Sequence, residues 1–302
     1  MKEIQLGGSL SASAVSLGVM RLKDLPDDKK RAELVYSAFA GGVNFFDNAD
    51  IYGTEEMFGK AVKDAGLKRD EILVQTKCGL CGGYWDFSKK HILESVDKSL
   101  KKMGIEYLDV LLLHRPDTLM EPEEVAEAFD VLTASGKVRN FGVSNHNMMQ
   151  IALLQKYVHQ KILINQMQFS AAHTPMIDFG LNVNMHNDAG VNRDGSLIEY
   201  CRLEDITIQA WSPFQHGFFA GSFLGSDKFP ELNRVIDRIA GEYGVTNTTI
   251  AAAWILRHPA KMQVIAGTTS AKRIQEIAAA SEITLRREEW YEIYRAAGNK
   301  MP

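Results

Sequence analysis

Short apolar runs alternate with longer segments of helical spacing along most of the chain. The runs are apolar throughout and contain many β-branched residues, which is typical of parallel strands covered by helices. Eight such runs are found: Gly18–Met20, Asn44–Asp47, Ile72–Lys77, Asp109–His114, Val138–Ser144, Ile162–Gln166, Ile206–Trp211 and Gln263–Ala266. The pattern therefore predicts eight buried strands.

A segment of helical spacing follows each predicted strand. These segments are Asp28–Ala40, Glu55–Ala65, Ser88–Met103, Pro122–Ser135, Asn147–His159, Ser196–Leu203, Leu232–His258 and Ala271–Ala280. Pro122 near a predicted helix start and Gly136 just past its end follow the usual asymmetry of helix ends. Eight strand–helix units are what one (β/α)8 TIM barrel requires, so we predict a single barrel domain over residues 1–302.

Two features lie outside this repeat. Ile4–Leu6 and Ala14–Ser16 flank Gly7-Gly8 and predict a small N-terminal β-hairpin, and Arg287–Ala297 predicts a C-terminal helix. A doubly wound sheet is the alternative architecture, and it usually carries a Gly-rich turn after its first strand. Neither G-x-G-x-x-G nor G-x-x-x-x-G-K-[ST] occurs in the sequence, which favours the barrel.

Two predicted connections are unusually long. Cys78–Phe87 follows the third predicted strand, and Ser170–Gly195 follows the sixth. Long loops without regular structure are usually functional or mobile. Both leave the carboxyl ends of strands, which is the face where barrel active sites are built.

Composition narrows the class of protein further. The 302 residues are 45% hydrophobic and 24% charged with a net charge of −4, which is typical of a globular protein and disfavours nucleic acid or an anionic membrane as partner. No apolar run is long enough to span a membrane, and MKEIQLGGSL lacks the apolar core of a signal peptide. Three cysteines are too few for a disulfide framework, so we expect a cytoplasmic protein. As to assembly, we expect a monomer or small homo-oligomer.

Ionisable side chains lie at the ends of consecutive predicted strands. Asp47 ends the second strand, Tyr52 follows five residues later, Lys77 ends the third strand and His114 ends the fourth. In a barrel these strand ends converge on one mouth. An ammonium group there lowers the pKa of a tyrosine, and a buried lysine needs a carboxylate to stay charged.

Asp47, Lys77 and Tyr52 are therefore a self-consistent general-acid relay, and His114 is placed to hydrogen-bond a substrate oxygen. The alternative for any one of these residues is a plain ion pair or a packing role. Their joint occurrence on one face favours catalysis.

The residues around this relay resemble the aldo-keto reductases. NFFDNADIYG is similar to the D-x-A-x-x-Y-G segment of that family, ILVQTKCG to its strand-end lysine and LLLHRPD to its strand-end histidine. GKVRNFGVSNH, INQMQFS, AWSPFQHGFFAG and IAGTTSAKRIQE continue the resemblance in the same order, and GVMRL and QTKCG resemble a bacterial oxidoreductase branch. The resemblance covers nearly the whole chain.

The resemblance implies NADPH-dependent reduction of an aldehyde or ketone. It makes Tyr52 the proton donor, Asp47 and Lys77 the pair that tunes it, and His114 the group that orients the carbonyl of a small-molecule substrate. No metal is implied. The residues that it assigns to the cofactor are Met20, Arg21, Asp47, Tyr52, Ser144, Asn145, Gln166, Trp211, Ser212, Pro213, Phe214, Gly217, Gly267, Thr268, Thr269, Ser270, Arg273 and Glu276.

Arg273 is the expected partner of the 2′-phosphate, because a guanidinium matches phosphate oxygens in a bidentate way. Many family members have a Lys where Gly267 stands and an Asn where Ile277 stands, so NADH stays possible. The stretch Leu181–Gly195 is longer than the corresponding family loop. Because such loops form the substrate pocket, the resemblance does not identify the substrate.

Two alternative functions stay open. Cys78-Gly79-Leu80-Cys81 is formally a C-x-x-C motif, which could serve thiol redox chemistry or a metal, but it follows a strand, whereas a reactive cysteine is typically found at a helix N-terminus. Tyr84 and Trp85 after the motif are expected to form a wall of the substrate pocket. A cofactor-binding regulatory barrel that signals redox state, as in relatives associated with ion channels, is the alternative function. The complete set of four polar residues favours the reductase.

Overall fold

A computed structural model describes residues 1–82, 84–117, 119–181, 188, 196–217 and 220–299. The strands within these ranges are β1 (Glu3–Leu6), β2 (Leu10–Ser13), β3 (Val15–Gly18), β4 (Phe45–Asp47), β5 (Leu73–Cys78), β6 (Leu80–Cys81), β7 (Tyr84–Trp85), β8 (Leu108–Leu113), β9 (Val138–Ser144), β10 (Ile162–Gln168), β11 (Thr207–Trp211) and β12 (Gln263–Ala266). The helices are α1 (Asp28–Ala40), α2 (Glu55–Asp64), α3 (Lys89–Met103), α4 (Pro122–Ala134), α5 (Met148–Tyr157), α6 (Pro175–Leu181), α7 (Leu197–Leu203), α8 (Pro230–Tyr243), α9 (Asn247–Leu256), α10 (Ala271–Ala279) and α11 (Arg287–Ala296).

A closed parallel barrel is the centre of the fold. Across the described ranges its strand order is β3-β4-β5-β8-β9-β10-β11-β12, and β12 pairs with β3 to close the ring. Helices alternate with these strands along the chain, which confirms the predicted (β/α)8 barrel.

The first residues of several helices explain why the helix boundaries could be predicted from sequence. The Asp27 side chain accepts a hydrogen bond from the Lys30 amide at 2.8 Å before α1, and Ser88 accepts one from the His91 amide at 3.2 Å before α3. Pro122 occupies the first turn of α4, where its missing N–H costs no hydrogen bond. Each device ends the extended segment and starts a helix.

One predicted helix is wrong, because Leu232–His258 forms two helices, α8 and α9. Gly244 ends α8 with a φ of +65°, a left-handed conformation that glycine adopts without strain. Thr246 then caps α9 by accepting a hydrogen bond from the Thr249 amide at 3.3 Å. Apolar periodicity continues across the break, and therefore it hid the turn.

The N-terminal hairpin is confirmed, but its second strand and the first barrel strand were misplaced. Leu10–Ser13 pairs with Glu3–Leu6, and Val15–Gly18 is the barrel strand, whereas Met20–Asp24 forms a 3-10 turn. The hairpin buries Leu6 and Ala12 against residues at the strand starts. It therefore closes the end of the barrel opposite the carboxyl ends of the strands.

The two long connections contain more regular structure than their sequence predicted. β6 and β7 form a small hairpin inside Cys78–Phe87, and α6 lies inside Ser170–Gly195. Residues 182–187 and 189–195, which make up most of the predicted insertion Leu181–Gly195, lie outside the described part of the chain. Among the described residues, no helix has both the length and the apolar character needed to cross a membrane.

Candidate active site

A cavity of about 1070 Å³ opens at the carboxyl ends of the barrel strands. Asp47, Ser144 and Trp211 line it from the ends of β4, β9 and β11. Its wall includes most of the predicted site residues: Met20, Arg21, Asp47, Tyr52, Trp85, His114, Ser144, Asn145, Gln166, Trp211, Ser212, Pro213, Phe214, Gly267, Thr268 and Arg273. The structure therefore brings residues from distant parts of the sequence to one mouth.

Asp47, Lys77 and Tyr52 form a connected group beside this cavity. The Lys77 ammonium donates to Asp47 Oδ1 and Oδ2 at 2.7 and 2.9 Å, and to the carbonyl of Asn48 at 2.7 Å. It also lies 3.4 Å from the Tyr52 hydroxyl oxygen. Lys77 is fully buried, so its charge depends on these acceptors.

The balance of charge in this group keeps Lys77 protonated. Burial by itself lowers the pKa of Lys77. Asp47 and Tyr52 both raise it, and together they outweigh burial, so the pKa of Lys77 ends above its usual value. The ammonium therefore stays charged next to the Tyr52 hydroxyl at neutral pH.

The pKa of Tyr52 departs from the sequence-based prediction of a lowered value. Burial raises the pKa of Tyr52, and Lys77 lowers it by less than burial raises it. The prediction of a lowered pKa is wrong because desolvation of the phenolate has a larger effect than the nearby ammonium. Tyr52 is consequently a protonated phenol at neutral pH, with its proton held beside a cation.

His114 lies across from Tyr52 at the end of β8. The two rings meet edge to face with centroids 5.9 Å apart. Burial lowers the pKa of His114 to about 2, and the charges of Lys77 and Arg115 add to this effect. His114 is therefore a neutral imidazole that can donate through one N–H but cannot carry a proton charge to a substrate.

A row of polar groups lines the cavity at the ends of β9 and β10. Ser144 Oγ donates to the Gln166 carbonyl at 2.9 Å and accepts from Asn145 Nδ2 at 2.8 Å. Trp211 Nε1 donates to Asn145 Oδ1 at 3.3 Å. Asn145 and Ser212 both have left-handed φ values, +59° and +48°, which is uncommon outside glycine and often found at functional sites.

Another part of the cavity wall lies between β12 and α10. Gly267, Thr268 and Arg273 line it there. Ser270 caps α10 by accepting a hydrogen bond from the Arg273 amide at 3.2 Å, so the side chain of Arg273 starts from the first turn of a helix. A helix N-terminus with an arginine is suited to binding an anion.

Several predicted site residues are not part of the cavity wall. Lys77 lies behind Asp47, and Tyr84 is 62% exposed on the hairpin whose Leu80 and Trp85 line the cavity. Glu276 lies 3.8 Å from Lys272 on α10. Gly217, Thr269 and Ser270 are likewise outside the wall, so a contact of these residues with a cofactor stays a prediction.

Sequence reasoning missed four residues near the site. Arg115 lines the cavity with its guanidinium 5.8 Å from the centre of the Trp211 ring. Gln75, Gln209 and Gln263 are buried inside the barrel below Asp47 and Gln166. A glutamine within an otherwise apolar strand, as in ILVQTK and TIQAW, is the signal that could have found them.

No group of three or more potential metal ligands occurs among the described residues. Cys78 and Cys81 of the C-x-x-C motif are both free thiols, and Cys81 Sγ lies 3.8 Å from His91 Nε2. Burial raises the pKa of the Cys78 thiol well above its usual value, which disfavours thiolate chemistry at that position.

Comparisons with known proteins agree with this architecture. A sequence model of the Aldo/keto reductase family matches residues 14–297. The 6-dehydroglucose reductase of Agrobacterium fabrum is 34% identical, with 99% of each chain covered. A relative from Arabidopsis thaliana named as a voltage-gated potassium channel subunit beta is 28% identical, over 91% of this chain and 90% of that one.

Among solved structures, an aldo-keto reductase from Klebsiella pneumoniae in complex with NADPH has a TM-score of 0.79. It is 23% identical, and the match covers 99% of this chain and 96% of that one, which supports the shared fold. The family match and the reductase-named relatives define an oxidoreductase built on a (β/α)8 barrel. With the family match over almost its whole length, the chain belongs to the aldo-keto reductase family.

Proposed function

We propose that this protein reduces an aldehyde or ketone to an alcohol with NADPH, and that Tyr52 donates the proton. The observation that carries the proposal is the position of Tyr52, whose hydroxyl lies 3.4 Å from the Lys77 ammonium and whose ring meets the His114 ring edge to face. Tyr52 and His114 line the same cavity. A protonated phenol and a neutral imidazole N–H are the groups that a carbonyl oxygen requires when it gains negative charge.

The cavity fits a nicotinamide dinucleotide. Its volume of about 1070 Å³ suits an extended ligand, and Ser144, Asn145 and Gln166 offer polar groups for a carboxamide. The Trp211 indole offers a flat surface for a ring, and Arg273 offers a charge for a phosphate. NADPH, when bound, supplies the hydride.

The chain's own residues supply orientation and the proton. His114 donates its imidazole N–H to the substrate oxygen and thereby holds the carbonyl near Tyr52. The Tyr52 proton passes to that oxygen as negative charge develops on it, and the Lys77 ammonium stabilises the phenolate that remains. Asp47 keeps Lys77 charged through the 2.7 Å contact.

The experiment is a substrate panel of aldehydes, ketones and sugars, followed by absorbance at about 340 nm with NADPH and with NADH. 6-Dehydroglucose belongs in the panel because the Agrobacterium relative is named for its reduction. We expect oxidation of NADPH with at least one reactive aldehyde. Tight binding of NADPH without turnover of any panel member would contradict the reductase and favour the regulatory alternative.

A further inference from the structure

Four buried glutamines cross the interior of the barrel beneath the candidate active site. Gln75 lies on β5, Gln166 on β10, Gln209 on β11 and Gln263 on β12, and all are buried. Gln166 is level with Gln209, and Gln209 with Gln263, in the strand register. Barrel interiors are usually packed with branched apolar residues, so a row of amides there requires an explanation.

The lower end of the row is fixed by a backbone carbonyl. Gln263 Nε2 donates to the Ser13 carbonyl at 2.7 Å, and a carbonyl can only accept. The Gln263 oxygen therefore faces Gln209, whose Nε2 donates to it at 2.7 Å. This in turn leaves Gln209 Oε1 directed toward the other two glutamines.

The upper end of the row is fixed by a carboxylate. Gln209 Oε1 accepts from Gln75 Nε2 at 2.8 Å and from Gln166 Nε2 at 3.0 Å. The same two amino groups also donate to Asp47 Oδ1, at 2.6 and 3.1 Å. An ionised carboxylate accepts only, so both ends of the row demand donors and every amide has one permitted orientation.

The consequence for the site concerns Gln166, which lines the cavity. Both N–H groups of its amide are used inward, on Gln209 and Asp47, and so its oxygen is left for the cavity. Gln75 shows that Asp47 and Gln209 both require hydrogen-bond donors at this level of the barrel. Its own oxygen is buried and has no hydrogen-bond partner among the described residues, yet its amino group still faces Asp47 and Gln209.

We propose that Gln209 and Gln263 are positioning residues that act through Gln166. They hold the Gln166 amide with its oxygen toward the cavity, where it selects the amino side of the nicotinamide carboxamide. This inference rests on the proposed function, since it assumes that a nicotinamide dinucleotide occupies the cavity. Neither residue is part of the cavity wall.

The test compares the affinities of two reduced cofactors, measured by fluorescence titration. One is NADPH, and the other is its 3-acetylpyridine analogue, in which a methyl group replaces the carboxamide amino group. The wild-type protein is expected to prefer NADPH by roughly 2- to 10-fold, the worth of one hydrogen bond. Gln209→Met removes one of the two acceptors that hold the Gln166 amino group and leaves Asp47 Oδ1 as the other. The amide is then held less firmly, and this preference is expected to fall about threefold.

Gln209→Glu separates positioning from packing. Burial beside Asp47 keeps the introduced acid protonated, so its carbonyl still accepts from the two amides and its hydroxyl still donates to Gln263. This variant is expected to keep the cofactor preference within about twofold of wild type. Gln263→Met, farther from the cavity, is expected to reduce the preference in the same direction, and it decides the matter if Gln209→Met does not fold.

Gln155→Met is the matched control, because Gln155 lies on α5 outside the barrel interior. Its side chain donates to the carbonyls of Val158 and Gln160 and accepts from the Ile162 amide at the start of β10, away from the glutamine row. It is expected to leave the preference unchanged. If the barrel variants keep the wild-type ratio of the two affinities, whether or not both affinities fall, the inference is overturned. Failure of the wild-type protein to bind either dinucleotide would instead overturn the proposed function on which the inference rests.

Discussion

Tyr52 is subject to two opposing influences on its proton. Burial raises the pKa of the phenol, and the Lys77 ammonium at 3.4 Å lowers it, with burial the larger of the two. The result is a hydroxyl that is protonated at neutral pH but whose phenolate has a cation beside it. His114, in contrast, is neutral because burial and neighbouring cations lower its pKa to about 2. These protonation states are the ones that the proposed mechanism requires, with Tyr52 as the proton donor and His114 as the group that orients the carbonyl.

The pH dependence of carbonyl reduction follows from these two groups. The active form has Tyr52 protonated, so activity is present below the pKa of Tyr52 and is lost as pH rises through it. Because that pKa is raised, we expect kcat to stay level between about pH 6 and about pH 9 and to fall only above about pH 10. A steady-state pH profile at saturating NADPH measures this. An acid limb near about pH 6.5 that disappears in His114→Gln would contradict the neutral histidine.

Arg273 provides a second prediction at this scale. If its guanidinium binds the 2′-phosphate, Arg273→Ala should raise the Kd of NADPH by roughly 10- to 100-fold, the worth of a hydrogen bond to a charged group. The Kd of NADH should change by less than about twofold, since NADH carries no 2′-phosphate. Lys272→Ala is the control, because Lys272 is 87% exposed on the same turn and contacts Glu276. Equal losses for both cofactors would remove the phosphate role of Arg273.

At the scale of elements, strand ends and helix starts determine where the chemistry lies. β4, β5 and β8 lie side by side in the barrel and bring Asp47, Lys77 and the residue after β8, His114, to one mouth. These positions were predictable because apolar runs end on a charged or polar residue. The Gly244 turn was not, since Ile239, Tyr243 and Ile250 keep helical spacing across it and the break depends on one backbone conformation.

Two glycines of the same region test this reading of the break. Gly244 has a φ of +65° and Gly241 lies within α8, and an added Cβ has open space at both. Gly244→Ala should lower the free energy of unfolding by about 1–2 kcal/mol through left-handed strain. Gly241→Ala should raise it by about 0.5–1 kcal/mol through helix propensity. Urea unfolding measures both, and a stabilising Gly244→Ala would contradict the account.

At the scale of the whole molecule, most of the barrel could be predicted from sequence, and so could the grouping of Asp47, Tyr52, Lys77 and His114. Apolar runs fixed the positions of seven strands to within two residues at either end. The first barrel strand was missed because Val15–Gly18 follows β2 after a single residue, so hairpin and barrel merge into one apolar stretch.

What sequence could not predict depends on long-range packing. The raised pKa of Tyr52 follows from burial under neighbouring elements, which no local pattern reports. Within the glutamine row, direct hydrogen bonds join glutamines up to 134 positions apart, Gln75 and Gln209. The cavity position of Arg115 likewise follows from the direction in which the chain leaves β8.

The central claim is that Tyr52 donates the proton to the substrate carbonyl. Its most direct test is single-turnover oxidation of NADPH with a reactive aldehyde in Tyr52→Phe, beside NADPH binding by the same variant. We predict a rate about 10²- to 10⁴-fold below wild type, with the Kd of NADPH within about twofold. Tyr36→Phe, at a tyrosine 56% exposed on α1, should match wild type in both. Turnover by Tyr52→Phe at the wild-type rate would contradict the claim.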